Sequence, residues 1–243
     1  MIIHLYVVCW NEEAIIPFFL QNYQEVDKIV VSDNESTDRS VELYLQHEKV
    51  CIRTYKTNGQ LTWSAQVNIK NNIWKESRGQ ADWVIIVDND ELIYHPQGLH
   101  YALSLAETEG ATLVIPKGID MVSETFPDKQ FPIFDQVKFG FDSPGFYKQC
   151  IFKPDEIEEI DFGAGAHTAN PVGNVKIATI NGLQLRHCKF LSYEYRSMRS
   201  RLVNPRVAPE ELAAGLSVHY HADEAKLQEE WTWVTSLAIR VVE

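Results

Sequence analysis

Apolar and polar positions alternate along the first 116 residues in blocks that match strands and helices in turn. Short runs rich in β-branched and aromatic residues are typical of strands that are covered on both faces. The segments between them repeat apolar residues at helical spacing. The pattern predicts strands at residues 2–9, 28–32, 50–55, 83–87 and 111–116, and helices at residues 13–23, 37–46, 63–76 and 97–107. This alternation favours an α/β fold with a mostly parallel central sheet flanked by helices.

The regular alternation stops after Lys117. The second half predicts loops to residue 145, a strand at 146–152, a glycine-rich loop at 163–173, strands at 175–178 and 183–187, and helices from 191 and from 223. The length of 243 residues suits one domain. We therefore expect one continuous domain with a regular first half, residues 1–116, and an irregular second half, residues 117–243.

Composition and charge argue against several classes of protein. The net charge of −12 disfavours nucleic acid as a partner. The four cysteines lack metal-site spacing and are expected to be reduced and buried. The sequence has no apolar run of the roughly 18 residues that a membrane span needs, and its short apolar start lacks a basic leader. We expect a cytoplasmic protein without a membrane span, and peripheral contact with the inner face of a membrane stays open.

One segment departs from the acidic average of the chain. Residues 186–206 carry six basic residues and one acid, so their net charge is +5. Two explanations stay open. The segment either binds a phosphate or another anion, or it forms a solvated helix face that balances nearby acids.

Polar clusters follow three of the predicted strands at the points where these strands end. The carboxyl ends of parallel strands meet at one sheet edge, where open α/β sheets bind ligands. Acidic clusters at one edge repel each other unless a cation lies among them, and a hard divalent ion with oxygen ligands fits that place. The clusters are Trp10-Asn11-Glu12-Glu13, Asp33-Asn34-Glu35-Ser36-Thr37-Asp38 and Asp88-Asn89-Asp90-Glu91. The alternative is that these residues only cap helices and form turns.

Three motifs in the first half resemble glycosyltransferase family 2. They read VVCWNEE, IVVSDNESTDRS and WVIIVDNDELI at the ends of the first, second and fourth strands. The second half resembles a bacterial subgroup of small family 2-like transferases more loosely, through YKQCIFKP, GAGAHTANPVG and LRHCKFLSYEYRS. The resemblance implies the GT-A fold, in which residues 1–116 bind a nucleotide-diphosphate sugar and residues 117–243 supply the acceptor side. It also implies an enzyme that moves the sugar to a hydroxyl of a glycan or lipid-linked acceptor.

The resemblance implies roles for individual residues as well. Asp88 and Asp90 would form the D-x-D pair that binds Mn²⁺ or Mg²⁺ against the donor diphosphate, and His187 would be a further metal ligand. Asp38 would support the loop after the second strand. In the mechanism that we expect, either Arg186 or Lys189 assists the departing diphosphate. The implied nucleotide-sugar pocket contains Cys9, Trp10, Asn11, Glu12, Asp33, Asp38, Asn89 and Arg186.

The acceptor side departs from the family pattern. Many family 2 enzymes have a Glu-Asp pair there, whose aspartate is the catalytic base, whereas residues 163–168 of this chain read GAGAHT. His167 is a candidate for the base because imidazole titrates near neutral pH, and its neighbouring glycines let a sugar approach the backbone. Asp161, Asp142 and Asp135 stay open as alternatives. We expect inversion at the anomeric carbon.

Two other classes of protein stay open. A nucleotidyltransferase shares a related sheet and a metal-binding aspartate. It normally carries a Gly-rich loop with Arg and Lys after the first strand, where this chain has Trp10-Asn11-Glu12-Glu13. A non-catalytic sugar- or nucleotide-binding module derived from a transferase would explain the missing Glu-Asp pair.

Overall fold

The computed structural model describes residues 1–242, with all side chains in that range except those of Val218 and His219. In chain order the elements are β1 (Ile3–Cys9), α1 (Ile16–Asn22), β2 (Lys28–Asp33), α2 (Ser40–Leu45), β3 (Val50–Thr54), α3 (Trp63–Asn72), β4 (Trp83–Asp88), β5 (Glu91–Tyr94), α4 (Leu99–Thr108), β6 (Leu113–Val114), β7 (Lys117–Val122), α5 (Ile133–Gln136), β8 (Phe139–Asp142), β9 (Ile151–Phe152), β10 (Ile157–Glu159), β11 (Val172–Gly173), β12 (Ile177–Ala178), β13 (Gln184–Phe190), α6 (Tyr193–Val203), α7 (Pro209–Ala213), α8 (Glu224–Leu237) and β14 (Ile239–Arg240).

Seven strands form the central sheet, in the order β12-β6-β9-β4-β1-β2-β3. Neighbouring strands are parallel except at β9, which runs antiparallel to β4 and to β6. Alternate residues of β1 pack into separate apolar clusters on the two faces of the sheet, Leu5 and Val7 into one and Tyr6 into the other. Both faces are covered, which explains the continuous apolar run, and the predicted mainly parallel α/β architecture is confirmed.

The four helices predicted in the first half are present but differ from the structure at their ends: the helix predicted at residues 13–23 is Ile16–Asn22, and the helix predicted at residues 97–107 is Leu99–Thr108. The helix predicted at residues 37–46 begins at Ser40, because Asp38 rather than Ser36 or Thr37 accepts a hydrogen bond from the first turn, from Ser40 N at 2.9 Å. The helix predicted at residues 63–76 ends at Asn72. The chain continues as a 3-10 helix over Ile73–Ser77.

A second sheet of five strands, in the order β14-β8-β7-β13-β5, lies largely in the irregular half. β7 pairs antiparallel with β8 and parallel with β13. The prediction of loops throughout residues 117–145 is therefore wrong. β7 and β8 each contain a glycine and an aspartate, which interrupt the apolar alternation that signals a strand. The strand predicted at residues 146–152 is wrong over most of its length, since only Ile151–Phe152 is a strand.

The chain passes from the central sheet to the second sheet at a two-residue turn. β4 ends at Asp88 and β5 begins at Glu91, so Asn89 and Asp90 connect the two sheets. We call Asp88–Glu91 the acidic turn. His187 of β13 pairs with Glu91 of β5, and this register brings the irregular half of the chain against the acidic turn.

Two expectations from composition can be compared with the structure. Among the described residues, no helix is long and apolar enough to cross a membrane. Cys9, Cys150 and Cys188 are buried as expected, whereas Cys51 is exposed on the edge strand β3.

Candidate active site

A cleft of about 510 Å³ opens beside the acidic turn, at the carboxyl ends of β1 and β4. This is the edge at which open α/β sheets bind ligands. The cleft lining contains five lysine and arginine side chains and four carboxylates, a formal balance of +1 before any charge on a histidine, in a chain whose formal net charge is −12. These residues are Glu12, Asp88, Asp90, Glu91, Lys148, Lys189, Arg196, Arg199 and Arg206.

Asp88 lies between two buried lysines. Lys70 Nζ is 2.6 Å from Asp88 Oδ1, and Lys148 Nζ is 3.9 Å from Asp88 Oδ2. Burial opposes the charged form of Asp88, but the two lysines outweigh burial and lower the pKa of this carboxyl group. Asp88 is therefore an ionised carboxylate whose charge the protein already compensates.

Asn89 fixes the acidic turn to the central sheet. Its side-chain nitrogen donates to Val8 O at 2.7 Å, and its side-chain oxygen accepts from the Tyr44 hydroxyl. The side chain is buried, and both ends of its amide have protein partners. The structure thus gives Asn89, which was expected to contact the nucleotide sugar, a bracing role at the cleft wall.

Asp90, His187 and Asp120 form a line of side chains that ends in the cleft. His187 of β13 lies beside Asp120 of β7 in the sheet, and its Nδ1 donates to Asp120 Oδ1 at 2.6 Å. Its Nε2 is 3.4 Å from Asp90 Oδ2. Burial alone lowers the pKa of His187, but the charge of Asp90 and the hydrogen bond to Asp120 outweigh burial and raise it to about 9.

This line has the pattern of a metal-binding histidine. Such a histidine usually ligates the ion through one ring nitrogen and donates its other N–H to a carboxylate. His187 has Asp120 behind it and Asp90 at the cleft. Within residues 1–242, however, no three histidine, cysteine or acidic side chains are gathered as a set of metal ligands. Asp90 and His187 are therefore two candidate ligands and not a complete set.

His167 lines the cleft with one ring nitrogen held by the backbone. Its Nδ1 donates to Gly145 O at 2.8 Å, so Nε2 is left as the proton acceptor. The ring lies against Gly165, whose φ is +65°. Desolvation and the positive charge of Lys148 lower the pKa of His167, which keeps the ring neutral at pH 7.

The end of β1 contributes Cys9, Trp10 and Glu12 to the cleft. Burial raises the pKa of the Cys9 thiol well above its usual range, so this cysteine is a packed, unreactive group. Glu12 forms an ion pair with Arg199 of α6. The guanidinium group of Arg206 lies 3.6 Å from the centroid of the Trp10 ring. The C-terminal half of the chain thus closes over the end of β1.

The loop after β2 is braced by three of the expected pocket residues. Asn11 accepts a hydrogen bond from Thr37 N at 2.7 Å, and Asp38 accepts from two backbone N–H groups, at 2.9 and 3.1 Å. The structure places Asn11 and Asp38 in this loop framework rather than in the cleft. Asp33 accepts from Ser36 N at 3.1 Å through Oδ2, while its buried Oδ1 has no hydrogen-bond partner within residues 1–242.

The basic segment 186–206 directs most of its charge into the cleft. Lys189, Arg196, Arg199 and Arg206 line the cleft, while Arg201 is exposed and pairs with Glu224. Three of these four residues also have acidic partners: Lys189 and Arg196 pair with Glu230, and Arg199 pairs with Glu12. The segment therefore combines the two explanations, because it lines the cleft and balances nearby acids.

Arg186 lies elsewhere, which corrects its expected place beside the diphosphate. Its guanidinium group is buried between the rings of Tyr94 and Phe134, 3.5 and 4.3 Å from their centroids. The side chains of neighbouring residues in a strand point to opposite faces of the sheet. His187, the neighbour of Arg186, faces the cleft. Arg186 therefore packs in the core behind the second sheet.

The three carboxylates considered as alternative bases lie outside the cleft. Asp161 is exposed, with φ of +52°. Asp142 is exposed at the end of β8, where it accepts from the Tyr147 hydroxyl at 2.6 Å. Asp135 is exposed on α5. The geometry therefore does not support Asp161, and of these four candidates His167 is the one that lines the cleft.

The sequence assigns no role to three charged residues of the site, Lys70, Asp120 and Lys148, and it includes Glu91 only as a member of an acidic cluster. Glu91 follows the D-x-D pair directly, and its position in the sequence indicates that it lies beside the site. Lys70 looks like any surface lysine of a helix, and Asp120 meets His187 only through the strand register of β7 and β13. Pairings of this kind depend on the folded sheets, and local sequence patterns do not reveal them.

A family comparison agrees with this architecture. The family model described as glycosyl transferase family 2 matches residues 5–166, and the chain belongs to this family. Membership and sheet order together confirm the expected GT-A fold. The match contains the acidic turn and Lys148, while His187 and α6 follow it. No curated protein matches the chain.

Several solved structures match parts of the chain. Glucosyl-3-phosphoglycerate synthase from Mycobacterium tuberculosis, in complex with Mn²⁺, UDP and glucosyl-3-phosphoglycerate, is 20% identical, and the match covers 49% of this chain and 44% of that chain with a TM-score of 0.33. A 4-diphosphocytidyl-2C-methyl-D-erythritol synthase is 14% identical over 64% and 76% of the two chains, with a TM-score of 0.35. HddC from Yersinia pseudotuberculosis is 14% identical over 51% and 60%, with a TM-score of 0.29. The chain spans less than half the length of the mycobacterial synthase.

Proposed function

We propose that this chain is a nucleotide-sugar glycosyltransferase that uses Mn²⁺ or Mg²⁺ and moves a sugar to an acceptor hydroxyl with inversion. The observation that carries the proposal is the line Asp120–His187–Asp90, which ends in the cleft. Family 2 membership supports a nucleoside diphosphate as the carrier of the sugar. A glycan or a lipid-linked molecule is the proposed acceptor.

The proposed ion site consists of Asp90 and His187. Protein ligands lie about 2.0–2.2 Å from a bound ion, so a carboxylate oxygen and an imidazole nitrogen 3.4 Å apart fit around one ion. Asp88 fits less well, because Lys70 and Lys148 surround its carboxylate with positive charge. We therefore move Asp88 from the expected ligand set to a supporting role. When bound, the ion would neutralise charge on the departing nucleoside diphosphate.

The remaining cleft residues suit an anionic nucleotide. Positive side chains from α6 and the segment after it line the cleft, and oxyanions are stabilised by such groups when water is excluded. The stacked pair of Trp10 and Arg206 offers planar surfaces of the kind on which bases stack. Asp33 is buried and is not among the residues that line the cleft, so its expected contact with the nucleoside stays a prediction.

His167 is the proposed base. Its neutral ring takes the proton of the acceptor hydroxyl at Nε2, while the hydroxyl oxygen attacks the anomeric carbon and the bond to the nucleoside diphosphate breaks. The hydrogen bond from Nδ1 to Gly145 O fixes the tautomer that this step needs. Positioned proton transfer of this kind is typically worth about 10²–10⁴-fold in rate.

A panel of nucleotide sugars, incubated with the chain and Mn²⁺ or Mg²⁺, tests the proposal. We expect ion-dependent release of nucleoside diphosphate from one donor, which Asp90→Asn and His187→Ala abolish. Asp155→Asn is the matched control, because Asp155 accepts from Gly79 N outside the cleft. Donor binding without any release, both in water and with added glycan acceptors, contradicts an enzyme and favours a binding module. Release of pyrophosphate favours a nucleotidyltransferase.

A further inference from the structure

Lys148 is a buried lysine to which the proposed reaction gives no chemical role. Its side chain is only 1% exposed and lies between the acidic turn and the loop that carries His167. An ammonium group buried without partners costs several kcal/mol. The contacts of Lys148 therefore decide what this residue does.

The ammonium group of Lys148 joins two parts of the site. It donates to Glu91 Oε1, at the end of the acidic turn, and to Gly165 O at 2.7 Å, in the following loop. It also lies 3.9 Å from Asp88 Oδ2. One side chain thus links the turn beside the proposed donor site to the loop on the acceptor side.

Gly165, whose carbonyl oxygen accepts from Lys148, is also the residue against which the His167 ring lies. Gly165 has no side chain, and a Cβ atom there would lie 2.5 Å from His167 Cδ2 and 2.8 Å from His167 Nε2. Phe146 packs edge-on against the same ring, with 5.0 Å between centroids. Gly165 therefore contacts both residues, because its carbonyl accepts from Lys148 and its side-chain position faces the imidazole.

We propose that Lys148 is a positioning residue for the base, because it ties the Gly165 peptide, and with it the His167 ring, to the acidic turn. The inference rests on the proposed role of His167. It adds that Lys148 holds the acidic turn and the loop that carries His167 in a fixed position relative to each other. The positive charge of Lys148 has a second effect, since it helps to keep the imidazole in the neutral form that accepts a proton.

Kinetics of Lys148→Met provide the first test. This change removes both hydrogen bonds and keeps an unbranched apolar side chain. We expect kcat for nucleoside diphosphate release from the active donor to fall roughly tenfold to a hundredfold, because misplacement of a reacting group by about 1 Å costs that much. The donor KM should change less than about twofold. Lys153→Met is the control, since Lys153 pairs with Glu107 at 3.4 Å outside the cleft.

A double-mutant cycle separates positioning from packing. If Lys148 acts through His167, Lys148→Met lowers kcat little further in a His167→Ala background. Independent, multiplicative losses overturn the inference. If Lys148→Met does not fold, the same cycle is measured with Lys148→Arg, which keeps the buried positive charge.

Titration of the His167 ring by NMR in the ligand-free chain gives a readout besides activity. Lys148→Met should raise the pKa of His167, and Lys153→Met should leave it unchanged. An unchanged His167 pKa in Lys148→Met overturns the inference. If His167→Ala keeps its kcat, the base assignment and the inference both fail. If His167→Ala is inactive and the cycle is multiplicative, only the inference fails.

Discussion

Gly165→Ala should inactivate the chain while leaving it folded. Gly165 has φ of +65°, and the His167 ring lies so close that an added Cβ atom would be 2.5 Å from its Cδ2. The ring cannot stay in place beside this methyl group. The substitution therefore displaces the proposed base without removing it.

The expected magnitudes follow from the geometry. A residue other than glycine costs roughly 1–2 kcal/mol in the left-handed region, which corresponds to a fall in Tm of about 2–4 °C per kcal/mol for a domain of this size. Carbon atoms in normal contact lie about 3.5–4.0 Å apart, so the ring retreats by about 1 Å. A displacement of that size costs about a hundredfold in turnover.

Gly79→Ala is the matched control for this substitution. Gly79 has φ of +67°, and among the described residues no atom lies within 4 Å of the position that its Cβ would take. The two variants therefore carry similar backbone strain, and Gly165→Ala adds the overlap with the His167 ring. Both should stay folded in thermal unfolding. Only Gly165→Ala should lose nucleoside diphosphate release from the active donor. Equal turnover in the two variants would refute the placement of His167 as the base.

Three further predictions concern the ion site, the acidic turn and the core. Asp120→Asn should weaken Mn²⁺ binding about 10–100-fold in calorimetry with the nucleoside diphosphate of the active donor present, because Asp120 orients His187 and raises its basicity; unchanged affinity contradicts the proposed ion site. Asn89→Ala should lower the free energy of unfolding in urea by about 1–3 kcal/mol, because it leaves the buried Tyr44 hydroxyl without its acceptor; a loss near zero contradicts the bracing role. Trp74→Ala should lower the free energy of unfolding by about 3–5 kcal/mol, because Trp74 is fully buried; a loss below about 1 kcal/mol contradicts this packing.

The sequence predicts the central sheet well because its strands are covered on both faces. β1 and β4 are continuous apolar runs, and β4 ends directly at Asp88, so both the strand and the acidic turn are visible in the local pattern. The second sheet is less visible. β7 reads KGIDMV, and its glycine and aspartate resemble loop residues, although five of its six residues are buried.

The residues of the site also differ in whether neighbouring sequence or only the folded structure identifies them. Asp88 and Asp90 are adjacent in sequence to an apolar strand, and this context identifies them. The partner of His187 is Asp120, 67 residues away, and only the pairing of β7 with β13 brings the two together. Arg186 and His187 are neighbours in sequence, yet strand alternation sends the first into the core and the second into the cleft.

The proposed ion site is tested most directly by the rate of nucleoside diphosphate release from the active donor as a function of Mn²⁺ concentration, in the wild type and in His187→Ala. We expect saturable activation of the wild type. We expect His187→Ala to need at least about tenfold more Mn²⁺ for half-maximal rate, because one of the two proposed protein ligands is gone. A wild-type rate that does not depend on the ion, or the same activation curve in both proteins, would contradict an ion bound by Asp90 and His187.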